Sequence, residues 1–324
     1  LDAIVVGYQA TIALGRAVGP GHYSMWHNTG TCGAIGAAAA TSHLINLTTE
    51  ECAHALALAM SQSAGLWQTR HEPESMGKQL HTAVAARAGL HAAYLAKKGM
   101  RGPLSILEGE QGFFAAMCPG ADPKSVLNDH QSWFIHDVSF KPWPACRHAH
   151  AAIDAALMAR QGEDWRQSET IIVETYADSL KFCDCISPQS VIEAKFSLQH
   201  SVAVTLLYGE PELVHFEPPY IHHEDVDALR QKISVRVGDV YEDSYPSRFG
   251  AELRIGDFRY EVPDALGDPE NPLSVTQMDT KLHMLFTAGG VSPASAEDII
   301  FLCRGLPQTG QLDDLHTQLR KVLP

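Results

Sequence analysis

Apolar positions recur at helical spacing through the first 135 residues. Ile4, Val5, Tyr8, Ile12 and Leu14 share one stripe over residues 1–18, which closes at Gly19-Pro20-Gly21. A polar loop with His22 and His27 is expected over 22–31. It leads into Gly33–Ala40, a helix so poor in side-chain volume that it is useful only where other helices approach closely. Thr48 and Glu51 form a capping box for a helix that passes Leu56 and Met60 and breaks at Gly65. A loop over 66–75 precedes an Ala-rich helix that opens at Met76-Gly77-Lys78-Gln79-Leu80-His81 and stops at Gly99. Lys78 and His81, three apart, are neighbours on one face of it. Short helices and turns fill 104–129.

The period changes after Trp133. Residues 135–140, 169–175, 232–238 and 251–262 read as strands, with helices over 149–160, 188–208 and 223–231. From Pro272 onward the pattern is helical again, over 273–287, 294–304 and 311–322. The fold class expected is mainly α with an α+β second domain. A helical domain (1–136) is followed by an α+β domain (137–272), and a helical tail (273–324) returns to the first.

Composition narrows the function. The 324 residues are 45% hydrophobic and 19% charged, the profile of a soluble globular protein. A net charge of −14 argues against a nucleic-acid or acidic-membrane binder, while leaving room for a local basic pocket. The seven cysteines contain no CxxC pair, which points to reduced thiols, a cytoplasmic location and no metal site. No apolar run reaches membrane-span length and no signal peptide is visible. The chain opens at Leu1 inside an apolar helical pattern without an initiator Met, so it reads as cut.

One stretch concentrates candidate chemistry: Phe140-Lys141-Pro142-Trp143-Pro144-Ala145-Cys146-Arg147-His148-Ala149-His150. The prolines stiffen it, four side chains are cationic or carry protons, and a helix starts at its end. A helix N-terminus beside Lys and Arg suits carboxylates. A linker whose basic residues face water explains the same composition, and a surface histidine explains His27.

Several stretches together resemble the MmgE/PrpD family, which includes 2-methylcitrate dehydratase, cis-aconitate decarboxylase and iminodisuccinate epimerase. They are Trp26–Thr31, Gly77–His81, Lys141–His148, Ala194–His200, Arg248–Ala251 and Gly267–Leu273, in order over nearly the whole chain. The resemblance implies a helical core with a smaller α+β lid, a homodimer, no cofactor and a cleft for a small di- or tricarboxylate. It implies His27, Lys78 and Lys141 as catalytic residues, and Met76, His81, Arg147 and His148 as substrate-binding ones. It also implies a further N-terminal helical region with more cleft residues. The chain therefore reads as a fragment of a longer protein or as a shortened, non-catalytic member.

The reactions the resemblance implies begin at a carbon next to a carboxylate, where a base takes the proton and cations hold the developing aci-carboxylate. His27 suits the proton transfer. Lys78 and Lys141 suit the carboxylates, with acid–base duty open to whichever is more desolvated, and Arg147 offers a two-pronged contact. Loss of hydroxide gives dehydration, as of 2-methylcitrate in propionate metabolism. Loss of CO₂ gives decarboxylation, and return of the proton to the other face gives epimerisation.

Overall fold

The computed structural model describes residues 1–72, 75–127, 132–162 and 164–322. The chain divides into two compact units, Leu1–Val138 and Ser139–Pro324.

The first unit is helical: α1 (Asp2–Ala17), α2 (Gly19–Met25), α3 (Asn28–Leu44), α4 (Thr49–Met60), α5 (Gly77–Lys97) and α6 (Phe113–Met117). Helix α3 packs against α1, α4 and α5. The buried layer between α3, α4 and α5 is built from Ala34, Ala38, Ala59, Ala85, Ala88 and Ala92, so backbones approach closely, as the small-residue pattern requires. Gly89 marks the tightest point: a Cβ there would lie 2.5 Å from the Ala38 nitrogen and 2.6 Å from the Ala34 carbonyl oxygen. Bulkier packing by Leu14, Ile35, Met60, Phe113 and Phe114 closes the other side of α3. The Thr48 capping box is present, with the Thr48 backbone N–H donating to Glu51 at 2.8 Å.

Two local expectations are corrected here. Residues 22–25 are not loop but the end of α2, because Pro20 sits in its first turn, where a missing N–H costs nothing, and so starts a helix instead of ending one. Residues 135–140 do not form a strand. Phe134–Asp137 is a 3-10 turn held to α1: the Phe134 N–H donates to Gln9 at 2.9 Å and Arg16 pairs with Asp137 at 3.0 Å.

The second unit wraps a four-stranded mixed sheet. It comprises α7 (His150–Ala159), α8 (Asp164–Gln167), β1 (Ile171–Thr175), α9 (Ala177–Cys183), α10 (Val191–Lys195), α11 (Leu198–Tyr208), α12 (Pro218–Ile221) and α13 (Glu224–Arg230). Then follow β2 (Ile233–Val237), α14 (Asp239–Ser244), β3 (Ala251–Ile255), β4 (Phe258–Val262), α15 (Val275–Ala288), α16 (Pro293–Thr309) and α17 (Asp313–Val322). The strand order is β2-β1-β3-β4, with β1 and β2 parallel and the remaining pairs antiparallel. Helix α7, with Ala151, Ala152, Ile153, Ala155 and Ala156 buried, packs on β3 and β4. The helix expected over 188–208 is broken at Phe196-Ser197. Ser197 caps α11 by accepting from the His200 N–H at 2.9 Å, and every residue from Ser197 to Leu206 is buried. A segment apolar on all sides carries no stripe from which the break could be read. Among the described residues no helix is long and apolar enough to cross a membrane.

Candidate active site

His27 is the N-cap residue of α3. Its backbone N–H donates to the Gly65 carbonyl at 2.8 Å, which pins the start of α3 to the 64–67 segment. That segment delivers Trp67, whose ring centroid lies 4.6 Å from the imidazole of His27. Helix α5 presents Lys78 and His81 from its first two turns, as their spacing predicts. The Lys78 ammonium lies 5.9 Å from the Trp67 ring, and His81 Nδ1 is 3.3 Å from His27 Nδ1. Met76, at the N-cap of α5, is exposed. Three of the expected site residues therefore lie together, His27 and Lys78 beside one indole and His81 against His27. Trp67 is not among the residues that the sequence patterns single out. Its only signal was position, two residues after Gly65 and within ten of the Lys78 helix.

Burial sets the chemistry. His27 is 8% exposed, and its imidazole is pulled from the usual 6.5 down to about 4, first by loss of hydration, then by the Lys78 charge, then by His81. His81 is lowered too, through burial. At neutral pH His27 is thus an uncharged imidazole beside an ammonium group, a proton acceptor next to a cation that can hold an anionic substrate.

In the second unit the 140–150 stretch is tied at many points. The Trp143 indole N–H donates to Asp154 at 2.7 Å, and the other oxygen of Asp154 accepts from the Leu266 N–H at 2.6 Å. The Phe140 N–H donates to the Gly267 carbonyl at 2.8 Å. Lys141 is exposed, and its ammonium donates to the Ala145 carbonyl at 3.4 Å. Arg147 is a different case. One of its terminal nitrogens pairs with Asp268, which also accepts from the Ser139 hydroxyl at 2.7 Å, and its guanidinium lies 4.7 Å from the Phe249 ring. The guanidinium expected to grip a substrate carboxylate is held by Asp268, which leaves Nη1, buried, as the nitrogen with no partner among the described residues. His148 is buried, bonded through Nδ1 to the Tyr176 hydroxyl at 2.7 Å and stacked on Phe182 at 5.0 Å. These contacts brace the turn. Asp154 and Asp268, which do the bracing, carry no sequence signal of their own, although Asp268 lies within Gly267–Leu273, one of the stretches that resemble the family.

The buried histidines give the protein an acid-sensitive fold. His27 and His200 fall to about 4 and His150 to about 3, each mainly through burial. The unfolded chain, with histidines near 6.5, binds more protons from about pH 6.5 down to these values, so stability falls as pH drops through that window. Asp154, pushed up to about 6 by burial, acts in the opposite sense between 3.8 and 6, but as one group against three. The urea midpoint is expected to be lower at pH 5 than at pH 7.5, and an equal or higher midpoint at pH 5 would contradict this. Among the described residues no three His, Cys, Asp or Glu side chains gather as a metal site.

The family profile of the MmgE/PrpD N-terminal domain matches residues 1–126, and that of the MmgE/PrpD C-terminal domain matches residues 143–305. The chain belongs to the MmgE/PrpD family. Similar members include the human cis-aconitate decarboxylase, 28% identical over 221 residues, or 65% of this chain and 44% of that protein. The 2-methylcitrate dehydratase of Escherichia coli K12 is 25% identical over 209 residues, 62% of this chain and 43% of that enzyme. The mitochondrial 2-methylcitrate dehydratase of Yarrowia lipolytica is 26% identical over 235 residues, 70% and 44% respectively. The chain thus spans less than half the length of these curated MmgE/PrpD relatives. The two profiles cover the constellation around His27 and the braced 143–150 turn respectively.

Proposed function

We propose that the protein is a cofactor-independent lyase that dehydrates a small citrate-like polycarboxylate, with 2-methylcitrate the first candidate. The observation that supports this most is His27, buried and neutral between Trp67 and His81 with the Lys78 ammonium alongside, in a family with dehydratase and decarboxylase members. A C–H next to a carboxylate is weakly acidic. His27 takes that proton, while Lys78 and Lys141 hold carboxylate groups and offset the charge of the aci-carboxylate. The hydroxyl group then departs as water with the proton that His27 took, which leaves His27 neutral again. Lys141 and Arg147, both in the second unit, are proposed as carboxylate-binding cations, Arg147 through its unpartnered Nη1. The domain boundaries read from the sequence, the returning tail and the homodimer are part of the same proposal, the dimer being open to light scattering. Leu80, Leu90 and Tyr94, exposed on α5, are apolar surface available to it.

Decarboxylation of cis-aconitate is the second reading, favoured by the 28% identity to the human decarboxylase. Assays of 2-methylcitrate and citrate dehydration, cis-aconitate decarboxylation and iminodisuccinate epimerisation, run side by side, decide among them. The expected result is water loss from 2-methylcitrate as the fastest reaction, and CO₂ release alone would establish the second reading. Polycarboxylate binding without turnover would mark a non-catalytic member, and neither binding nor turnover would overturn the proposal. Lys78→Ala is expected to raise KM about 10- to 100-fold, the loss of one charge-assisted contact, with a smaller change in kcat.

A further inference from the structure

The contact between His27 and His81 is an unusual one, Nδ1 to Nδ1 at 3.3 Å. Two neutral imidazoles hold it only when one carries its proton on Nδ1 and the other presents a bare Nδ1, so each ring fixes the tautomer of the other. We propose that His81 is the positioning residue of His27: it accepts the His27 Nδ1–H, leaving the lone pair on His27 Nε2 to take the substrate proton. The inference rests on the reading of His27 as the base.

The surroundings hold the two rings in this relation. Gly65 has φ +134, and a Cβ on it would lie 3.2 Å from Cγ and Nδ1 of His81. A Cβ on Gly30 would lie 3.2 Å from the His81 Cβ and 2.5 Å from the Ala64 carbonyl oxygen. The 64–65 segment and the first turn of α3 therefore close on His81, and the Gly65 carbonyl also holds the His27 backbone. Trp67 packs against His27. Among the described residues neither imidazole has another hydrogen-bond partner, so each Nε2 is left to water or substrate.

Charge decides the direction. The groups that face the pair are Lys78 on α5 and, beyond the Trp67 ring, Arg70 at 5.8 Å from it; Tyr23 of α2 packs edge-on to the same indole. Positive charge is disfavoured most at His27, which is buried and feels Lys78, and less at His81, which is only half-buried. As the substrate C–H bond breaks, its electron pair stays on the substrate and an Nε2–H bond forms on His27. The His27 Nδ1–H bond then breaks and an Nδ1–H bond forms on His81. The positive charge moves outward and His27 ends neutral; the pair is restored when the Nε2 proton leaves with the departing hydroxyl as water and the proton on His81 Nδ1 returns to His27 Nδ1.

Imidazole ¹⁵N NMR on histidine-labelled protein at pH 7.5 tests this, with His27 assigned by the signals lost in His27→Gln. The expected result is the Nδ1–H tautomer of His27 in the wild type and a shift toward the Nε2–H form, the one favoured by a free histidine side chain, in His81→Phe. His81→Phe is expected to lower kcat about 10- to 100-fold, part of the 10²–10⁴ that general-base catalysis contributes, with KM nearly unchanged. His81→Gln, whose amide oxygen accepts a proton donor, is expected to recover part of the loss. An Nε2–H tautomer of His27 in the wild type overturns the proposal, and this measurement needs no variant of His81 to fold. A tautomer unmoved by His81→Phe overturns it too. If the tautomers are as expected but His27→Gln keeps full turnover, the pairing stands and the assignment of His27 as base fails.

Discussion

Replacing His27 by glutamine is expected to lower kcat by about 10²- to 10⁴-fold while KM changes by less than about threefold. The separation of the two effects follows from the charge state of the residue. Burial and the Lys78 ammonium hold the His27 imidazole near a value of about 4, so it is neutral at working pH and gives no ionic attraction to a carboxylate. Glutamine is also neutral, fits a comparable space and can hydrogen-bond, but it does not accept a proton. The affinity carried by Lys78 and the other cations should survive, and the chemical step should not. The same value shapes the pH profile. Protonation of His27 in the free protein removes the base, so the acid limb of kcat/KM is expected well below the 6.5 of an ordinary histidine, toward 4. A limb at 6.5 would mean that a different, solvated histidine carries the proton.

The second large effect is on stability. Gly89→Ala is expected to destabilise the first unit by on the order of 2 kcal/mol. A methyl group there would stand 2.5 Å from the Ala37 Cβ and the Ala38 nitrogen and 2.6 Å from the Ala34 carbonyl oxygen. Two of those atoms are backbone inside α3, so relief requires α3 and α5 to move apart. Overpacking of this kind costs roughly 1–3 kcal/mol or more, and it outweighs the gain of about 1 kcal/mol from replacing a helical glycine with alanine. Gly15→Ala in α1 is the control with the opposite sign. No atom outside its own helix lies within 4 Å of the new methyl group, so only the propensity gain remains and the unit should become more stable. Chemical denaturation of both variants measures the difference. A Gly89→Ala protein as stable as the Gly15→Ala protein would mean that the helices have slack to spare.

The helical first unit and the strands of the second were legible because each carried a local rule. The capping box at Thr48, the Ala-rich run of α5 and the strand signal over 251–262, which the structure divides into β3 and β4, stand where their patterns put them. The misreadings came where tertiary contacts overrode local pattern. Residues 135–140 have the composition of a strand, but among the described residues no strand pairs with them, and Gln9 and Arg16 of α1 hold Phe134–Asp137 in a 3-10 turn. The break in the 188–208 helix depends on Ser197 acting as a cap, and a serine in an apolar run gives little warning of that. For the site, Lys78 and His81 were readable as neighbours because i and i+3 share a helix face. Their approach to His27 depends on the Gly65 segment, and no spacing encodes that long-range contact. The second-unit cations were legible by type but not by occupation. Only the structure shows Asp268 on Arg147 and Tyr176 on His148.

Proton exchange at the substrate carbon tests the central claim most directly. The protein is incubated in D₂O with 2-methylcitrate and, separately, with the other candidate acids, and deuterium entering the C–H position next to the carboxylate is followed by NMR. His27→Gln is run in parallel at substrate concentrations that saturate both proteins. The account predicts deuterium entry with the wild type on at least one of these acids, and its loss by at least about 100-fold in His27→Gln while titration shows the acid still bound. Deuterium entry at the wild-type rate in His27→Gln would contradict it.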